Sequence, residues 1–245
     1  MPDRFYVPGE WSQFLDLDGT EAHHLVRVLR AVPGDVIQVF DGHGKSAAAT
    51  VTEVQKRTVR LQVSLPGQLS LQPSPEVVLA AAVPKGDRLA WMIEKVTELG
   101  VDRFIPLSTE RSVVKPSDQK LHKAEQTVIA ACKQSGRDHL MTIEPVCSLL
   151  QLMTRPDLQA ARYLVGARQA ENYATILKKE SCDYPHLVVI IGPEGGLTLE
   201  EQSFLQQAGV QLVSLSPQIL RIETAAVAFA AWLCGLRTGS AGGKC

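Results

Sequence analysis

Leu187-Val188-Val189-Ile190-Ile191, then Gly192-Pro193-Glu194-Gly195-Gly196, then Thr198-Leu199-Glu200-Glu201: these three segments follow one another near the C-terminal end of the chain. An unbroken apolar run rich in β-branched side chains predicts a strand buried on both faces, as in a parallel sheet covered by helices. The loop that follows carries no side chain of any size except that of Glu194, so a ligand can approach the backbone N–H and C=O groups directly. Thr198 and Glu201 have the spacing of a capping box and open a helix. Strand, bare loop and capped helix together make the layout of a ligand site at the carboxyl edge of an open α/β sheet. Such loops also serve as plain tight turns. This one lacks Gly-x-Gly-x-x-Gly and lacks the Lys-Ser/Thr pair of a P-loop, which argues for a ligand without phosphates.

Composition narrows the class. With 245 residues, 45% hydrophobic and 21% charged, the chain has the make-up of a soluble globular protein of one large or two ordinary domains. Met1-Pro2-Asp3-Arg4 lacks the pattern of a leader and no run of about 20 apolar residues is present, so a cytoplasmic protein without membrane attachment is expected. Five widely spaced cysteines, with no Cys-x-x-Cys and no histidine cluster, indicate neither a disulfide frame nor a metal site. A net charge of −1 gives no support to a protein that coats nucleic acid non-specifically. An RNA partner would require basic residues gathered in space.

Residues 1–65 predict a small β-rich module, with Val36–Phe40, Ala47–Val54 and Thr58–Val63 as strands and tight turns at Asp41-Gly42-His43-Gly44 and Lys56-Arg57. One helix, capped by Asp18 or Thr20, sets Leu25, Val28 and Leu29 on one side and His23, His24, Arg27 and Arg30 towards the other. So many short strands in so short a span suggest a small barrel. Three prolines between Pro66 and Pro75 mark a boundary, giving domains at 1–70 and 74–240. Beyond it strands alternate with helices, as a parallel α/β sheet requires. Predicted strands are Val77–Val83, Phe104–Leu107, Tyr163–Gly166, Leu187–Ile191 and Gln211–Leu215. Predicted helices start at Asp87 and Thr198 and run over Lys120–Ser135, Ala170–Lys179 and Ile219–Leu236. The last is apolar on every face from Ala225 to Leu236, which predicts burial all round, inside the domain or in a homodimer interface.

Ile191 to Gly196, with Leu215-Ser216-Pro217-Gln218-Ile219-Leu220-Arg221-Ile222-Glu223-Thr224-Ala225, resembles the paired cofactor motifs of the SPOUT methyltransferases. The narrower resemblance is to the bacterial 16S ribosomal RNA uridine N3-methyltransferases. Lys85 to Arg88 leading into Glu94 to Gly100, Glu110 to Val113, Ala131 to Arg137 and His24 to Arg30 agree with it in order, so the match covers essentially the whole chain. It implies an N-terminal PUA-like β-barrel that binds RNA and a SPOUT α/β domain with a C-terminal trefoil knot, working as a homodimer. Periodicity and composition say nothing of a knot. The resemblance further implies S-adenosyl-L-methionine as cofactor and N3 of one uridine of 16S rRNA in the 30S subunit as acceptor, position 1498 in the usual ribosomal RNA numbering. Where the family has Leu-Gly-x-Arg, this chain has Ser216 and Gln218 at the second and fourth positions.

Cofactor contacts are expected from Leu164, Gly166, Ile191, Gly192, Gly195, Gly196, Leu215, Ser216, Ile219, Leu220 and Ala225. Each apolar member reads equally as plain core. Methylating N3 displaces a proton and builds negative charge on the ring. Arg221 is the candidate for steadying a uracil oxygen, and Glu194 for orienting the ring or accepting the proton. An Arg221–Glu223 pair at the helix start, and a Glu194 that caps the next helix, are their structural alternatives. Candidate RNA contacts are His24, Arg27, Arg30, Lys85, Arg88, Arg111, Lys115, Lys133 and Arg137, each of which is also compatible with ordinary surface. Other functions in view are a non-catalytic RNA-binding or ribosome-assembly protein of the same fold, a methyltransferase for a different RNA site, and an enzyme using the loop for a nucleotide phosphate.

Overall fold

The computed structural model describes residues 3–114, 118–172 and 184–239. The chain divides into two units, Met1–Gln72 with Cys132–Leu140, and Pro73–Ala131 with Met141–Cys245.

The first unit is built on one sheet. Its strands are β1 (Arg4–Tyr6), β2 (Phe14–Leu17), β3 (Val36–Phe40), β4 (Lys45–Val54), β5 (Val59–Val63) and β6 (Gln68–Leu69). They follow the path β1-β3-β4-β5-β2 with β6 added to β4, every ladder antiparallel except β1 with β3. Alternation places Val59, Leu61 and Val63 of β5 in the core and Arg60 and Gln62 outside. The helix α1 (Gly19–His23) runs on into a wider π-helical turn over His24–Val28, closed where Leu29 N–H donates to the His24 carbonyl. Widening shifts the residues that follow around the axis, and the expected apolar face does not form. Ala22 and Leu25 are buried, whereas Val28 is 61% exposed. Asp18 holds the N-cap position without a side-chain hydrogen bond.

Residues 132–140 join this unit through backbone and charge. Leu140 N–H donates to the Gly42 carbonyl at 2.9 Å, and Gly44 N–H to that of Asp138 at 3.1 Å. Arg4 stacks on Phe40, donates to the Gly136 carbonyl at 2.7 Å and pairs with Asp138. Lys133 pairs with Glu21 at 2.8 Å.

In the second unit a wholly parallel sheet forms from β7 (Glu76–Ala82), β8 (Arg103–Ser108), β10 (Cys147–Ser148), β11 (Arg162–Asn172), β12 (His186–Ile191) and β13 (Gln211–Ser214), in the order β10-β8-β7-β12-β11-β13, with β9 (Thr142–Ile143) beside β8. Leu187 to Ile190 of β12 are fully buried, as a strand with helices on both faces requires. The helix α2 (Arg88–Leu99) buries Leu89, Met92, Ile93 and Val96 and ends at Gly100, whose φ of 101° is the left-handed C-cap that glycine adopts without a Cβ penalty. Further helices are α3 (Asp118–Ser135), α4 (Leu149–Met153), α5 (Leu199–Gln207) and α6 (Ile222–Gly239). Arg237 of α6 meets the buried Asp102 at 2.6 Å and ties that helix to the chain entering β8.

Two predicted elements differ. β11 continues to Asn172, with a register shift against β13 between Gly166 and Glu171, so Ala170 to Asn172 are strand and not helix. The remainder of the predicted helix to Lys179 lies outside the described residues. The last helix begins at Ile222, not Ile219, because the Ser216 hydroxyl accepts from Gln218 N–H at 3.0 Å and holds the chain in a turn. Within the single chain Thr224, Ala231 and Gly235 of that helix, which fall on one stripe, are exposed.

The amino edge of the sheet is held by charge. Arg103 reaches Asp157 at 2.8 Å and Glu76 at 3.4 Å and pairs with Glu144, while His186 meets Glu76 at 2.7 Å. Arg155 hydrogen bonds, opposed by partial burial and helped by Arg103, hold the Asp157 carboxyl far below its ordinary value. A depressed carboxyl stabilises the fold fully above the unfolded-state value near 4 and loses that contribution as pH falls further. Asp157→Asn is therefore expected to lower the melting temperature modestly at pH 7, since the side chain is half exposed, and the deficit narrows below about pH 4. Parallel melting scans of the two proteins at pH 7 and pH 3 check this.

Candidate active site

At the carboxyl edge of the sheet the chain leaves β12 through Gly192–Gly196 and leaves β13 through Leu215–Arg221, and these loops face each other. Gly196 N–H donates to the Pro193 carbonyl at 2.8 Å and Gly196 takes a φ of 70°, so the loop folds tightly back on itself. The capping box then anchors it: the Thr198 hydroxyl accepts from Glu201 N–H at 3.2 Å, and Glu201 accepts from Thr198 N–H at 2.9 Å. Thr198→Ala removes that anchor, and a loss of about 1 kcal/mol is expected, read as a lower denaturation midpoint at constant m-value. A third segment lies over the loop. Arg111 donates to the Gly195 carbonyl at 2.9 Å, and Glu110 N–H donates to Glu201 at 2.9 Å.

The loops enclose a cleft of about 230 Å³. Of the expected cofactor contacts it brings together Gly166, Ile191, Gly192, Gly196, Leu215, Ser216, Ile219, Leu220 and Ala225. Leu164 is fully buried in β11 and Gly195 turns its carbonyl to Arg111, so neither lines the cleft. Ala167, Pro193, Leu197, Val213, Gln218, Ile222 and Phe229 also line it, although the sequence did not single them out as cofactor contacts. Ile222, Ala225 and Phe229 share a helical face at spacings of three and four, a signal available in the sequence once the helix start is known. Among the described residues Glu194 is the single charged side chain of the lining. Arg30 is the one non-glycine residue with positive φ among them, so Ser216 stands where no left-handed backbone is needed.

Charge gathers at the rim. Arg88 bridges two carboxylates, Glu194 at 3.1 Å and Glu223 at 3.4 Å. Desolvation opposes its charge, but Glu223 and then Glu194 outweigh that and raise its pKa above the ordinary arginine value. The expected alternative for Arg221 is thereby overturned, since Glu223 pairs with Arg88 instead. Arg221 is exposed and makes no ion pair among the described residues. No group of three His, Cys, Asp or Glu among those residues is placed to hold a metal ion.

Residues 72–234 match the model of an RNA methyltransferase domain, and residues 17–64 that of an RNA methyltransferase PUA domain. The ribosomal RNA small subunit methyltransferase E of Bacillus subtilis is 36% identical over 228 residues, covering 88% of each chain. The chain belongs to the ribosomal RNA small subunit methyltransferase E family. The Mycobacterium bovis family member is 31% identical over 86% of this chain and 82% of its own. Among solved structures, the Neisseria gonorrhoeae family member bound to S-adenosyl methionine superimposes with a TM-score of 0.84 at 30% identity, covering 96% of this chain and 98% of that one. A Legionella pneumophila methyltransferase in complex with the same cofactor gives 0.83 at 29% identity, over 96% and 98%.

The candidate RNA contacts fall on both units of this family member. In the first, Arg27 and Arg30 are exposed, and His24 packs its ring against Phe5. Lys133 is neutralised by Glu21, and the Arg137 carbonyl accepts from Arg4. In the second, Lys85 and Arg111 are exposed and Arg88 is engaged by the two rim carboxylates. Lys115 lies outside the described residues.

Proposed function

We propose that this chain transfers a methyl group from S-adenosyl-L-methionine to N3 of a single uridine of 16S rRNA in the small ribosomal subunit. The observation that carries the reading is the cleft itself, walled mostly by backbone and apolar side chains, with Glu194, Ser216 and Gln218 as its polar members and no Lys or Arg. A dinucleotide or ATP would set phosphates against Glu194 there, whereas a cofactor with an adenine and a methionine arm has none. The glycines support the same fit: a Cβ on Gly166 would stand 3.0 Å from Phe229, and one on Gly192 3.1 Å from Leu197, so larger residues would crowd the walls. When bound, the cofactor supplies an electrophilic methyl group.

The chain's own residues then do the positioning. Leu215 to Leu220 and the glycine loop hold the cofactor, and Arg221 steadies the uracil oxygen on which charge develops. Glu194, fixed by Arg88, orients the ring. Residues 1–70 serve as a PUA-like β-barrel that binds RNA, and 74–240 as the SPOUT domain with the trefoil knot of that superfamily. A cytoplasmic homodimer is part of the reading, and the exposed stripe of Thr224, Ala231 and Gly235 on an otherwise apolar helix supports it. Among the described residues no helix is long and apolar enough to cross a membrane.

Calorimetric titration tests the cofactor directly. Saturable binding of S-adenosylmethionine, with no binding of NAD or ATP, is expected. A protein that binds none of them is an RNA-binding or assembly factor instead.

A further inference from the structure

A second recess adjoins the cleft and shares Ile219 and Leu220 with it; its other walls are Arg88, Trp91, Arg221, Glu223 and Thr224. Two features there are left over by the packing of the fold, an exposed indole and one carboxylate oxygen. Trp91 is 47% exposed although Leu89, Met92 and Ile93 beside it on α2 are buried, so the helix packs without the indole. Glu223 has a side chain only 8% exposed; one carboxylate oxygen meets Arg88, and the other, Oε2, has no hydrogen-bond donor among the described residues. Burying a carboxylate oxygen without a donor costs free energy that the fold recovers only if something supplies one.

The edge of uracil supplies one. It presents an acceptor, a donor and an acceptor in the order O2, N3–H, O4, and the recess is lined by Glu223, whose buried Oε2 is the orphan acceptor, together with Arg88 and Arg221. Cytosine presents a lone pair at N3 and would set it against the carboxylate. The face of a pyrimidine needs a flat apolar partner, and an exposed indole beside the cleft is one.

We propose that this recess takes the target base, with Trp91 stacked on its face and Glu223 accepting the N3–H and its proton, so that these two residues fix both position and choice of uracil over cytosine. The proposal rests on the methyltransferase reading above. In the step, N3 supplies the electron pair of the new N3–carbon bond, the carbon–sulfur bond breaks with its pair left on sulfur, and the N3 proton passes to Glu223 and from there to water. Arg88 is a positioning residue, holding the other oxygen of Glu223.

The test uses the full chain, S-adenosylmethionine and 30S particles that lack the modification. For Trp91→Ala the KM for particles is expected to rise about tenfold with kcat within about threefold, and Trp91→Phe recovers most of that loss. For Glu223→Gln kcat is expected to fall about a hundredfold while KM and cofactor affinity stay within about threefold. Each variant should sediment as the wild type does. Wild-type kcat/KM in both Trp91→Ala and Glu223→Gln overturns the subsite and leaves the methyltransferase reading standing. A Trp91→Ala protein that loses activity together with a change in sedimentation also overturns it, because Trp91 then belongs to a contact between copies of the chain. If the wild type transfers no methyl group to any uridine, the underlying reading fails and the subsite falls with it.

Discussion

Replacing Arg221 with alanine is expected to lower kcat for methyl transfer to small-subunit particles by about a hundredfold or more, with cofactor affinity changed less than about threefold. The expectation comes from contrast with its neighbour. Arg88 is committed to Glu194 and Glu223, whereas Arg221 is exposed in the recess beside the cleft and makes no ion pair among the described residues. A guanidinium held there gains more from charge developing on a uracil oxygen than from the resting substrate, so its removal falls on kcat. Arg221→Lys should restore only part of the rate, since an ammonium does not reproduce the planar fork. Single-turnover measurements with saturating cofactor separate the two parameters, and full turnover in the alanine variant would remove Arg221 from the reaction.

The second large effect is steric. Gly166→Val is expected to weaken S-adenosylmethionine binding at least thirtyfold, about 2 kcal/mol, by filling the floor of the cleft. The new Cβ would stand 3.0 Å from Phe229, a side chain only 2% exposed and so unable to retreat without disturbing the core. Gly196→Ala makes the informative comparison. Nothing lies within 4 Å of a Cβ there, but φ is 70°, so that substitution should strain the loop and lower stability without blocking the site. Calorimetric affinities beside melting curves distinguish the two cases. Equal cofactor affinity in Gly166→Val and the wild type would mean that the ligand does not enter this cleft.

The parts of this arrangement legible in the sequence are those encoded locally. The buried run of β12, the glycine loop and the Thr198–Glu201 box are contiguous, and each signal forces a conformation within a few residues. The resemblance tied the second loop to the first. Long-range choices were not legible. Nothing near Arg88 in sequence indicates that it bridges Glu194 and Glu223, more than 100 positions away, or that Arg221 is thereby left unpaired. Residues 132–140 read as the end of a helix and the chain beyond it, and only the structure joins them to the first unit through Gly42 and Gly44. The π turn at His24–Val28 defeated a pattern argument because a 3.6-residue period assumes the hydrogen bonding that this turn abandons. The turn at Ser216–Gln218 likewise shortened the last helix, and with it freed Ile219 to Arg221 to line the cleft and the recess.

We propose that this cleft places a methyl group on N3 of one uridine of 16S rRNA. The most direct test is to incubate the protein with S-adenosylmethionine and 30S particles lacking the modification, digest the 16S rRNA and map methylated nucleosides by mass spectrometry. One stoichiometric 3-methyluridine at a single position, absent when the cofactor is omitted, is the predicted result. No methyl incorporation at any uridine, with cofactor binding intact, would contradict it.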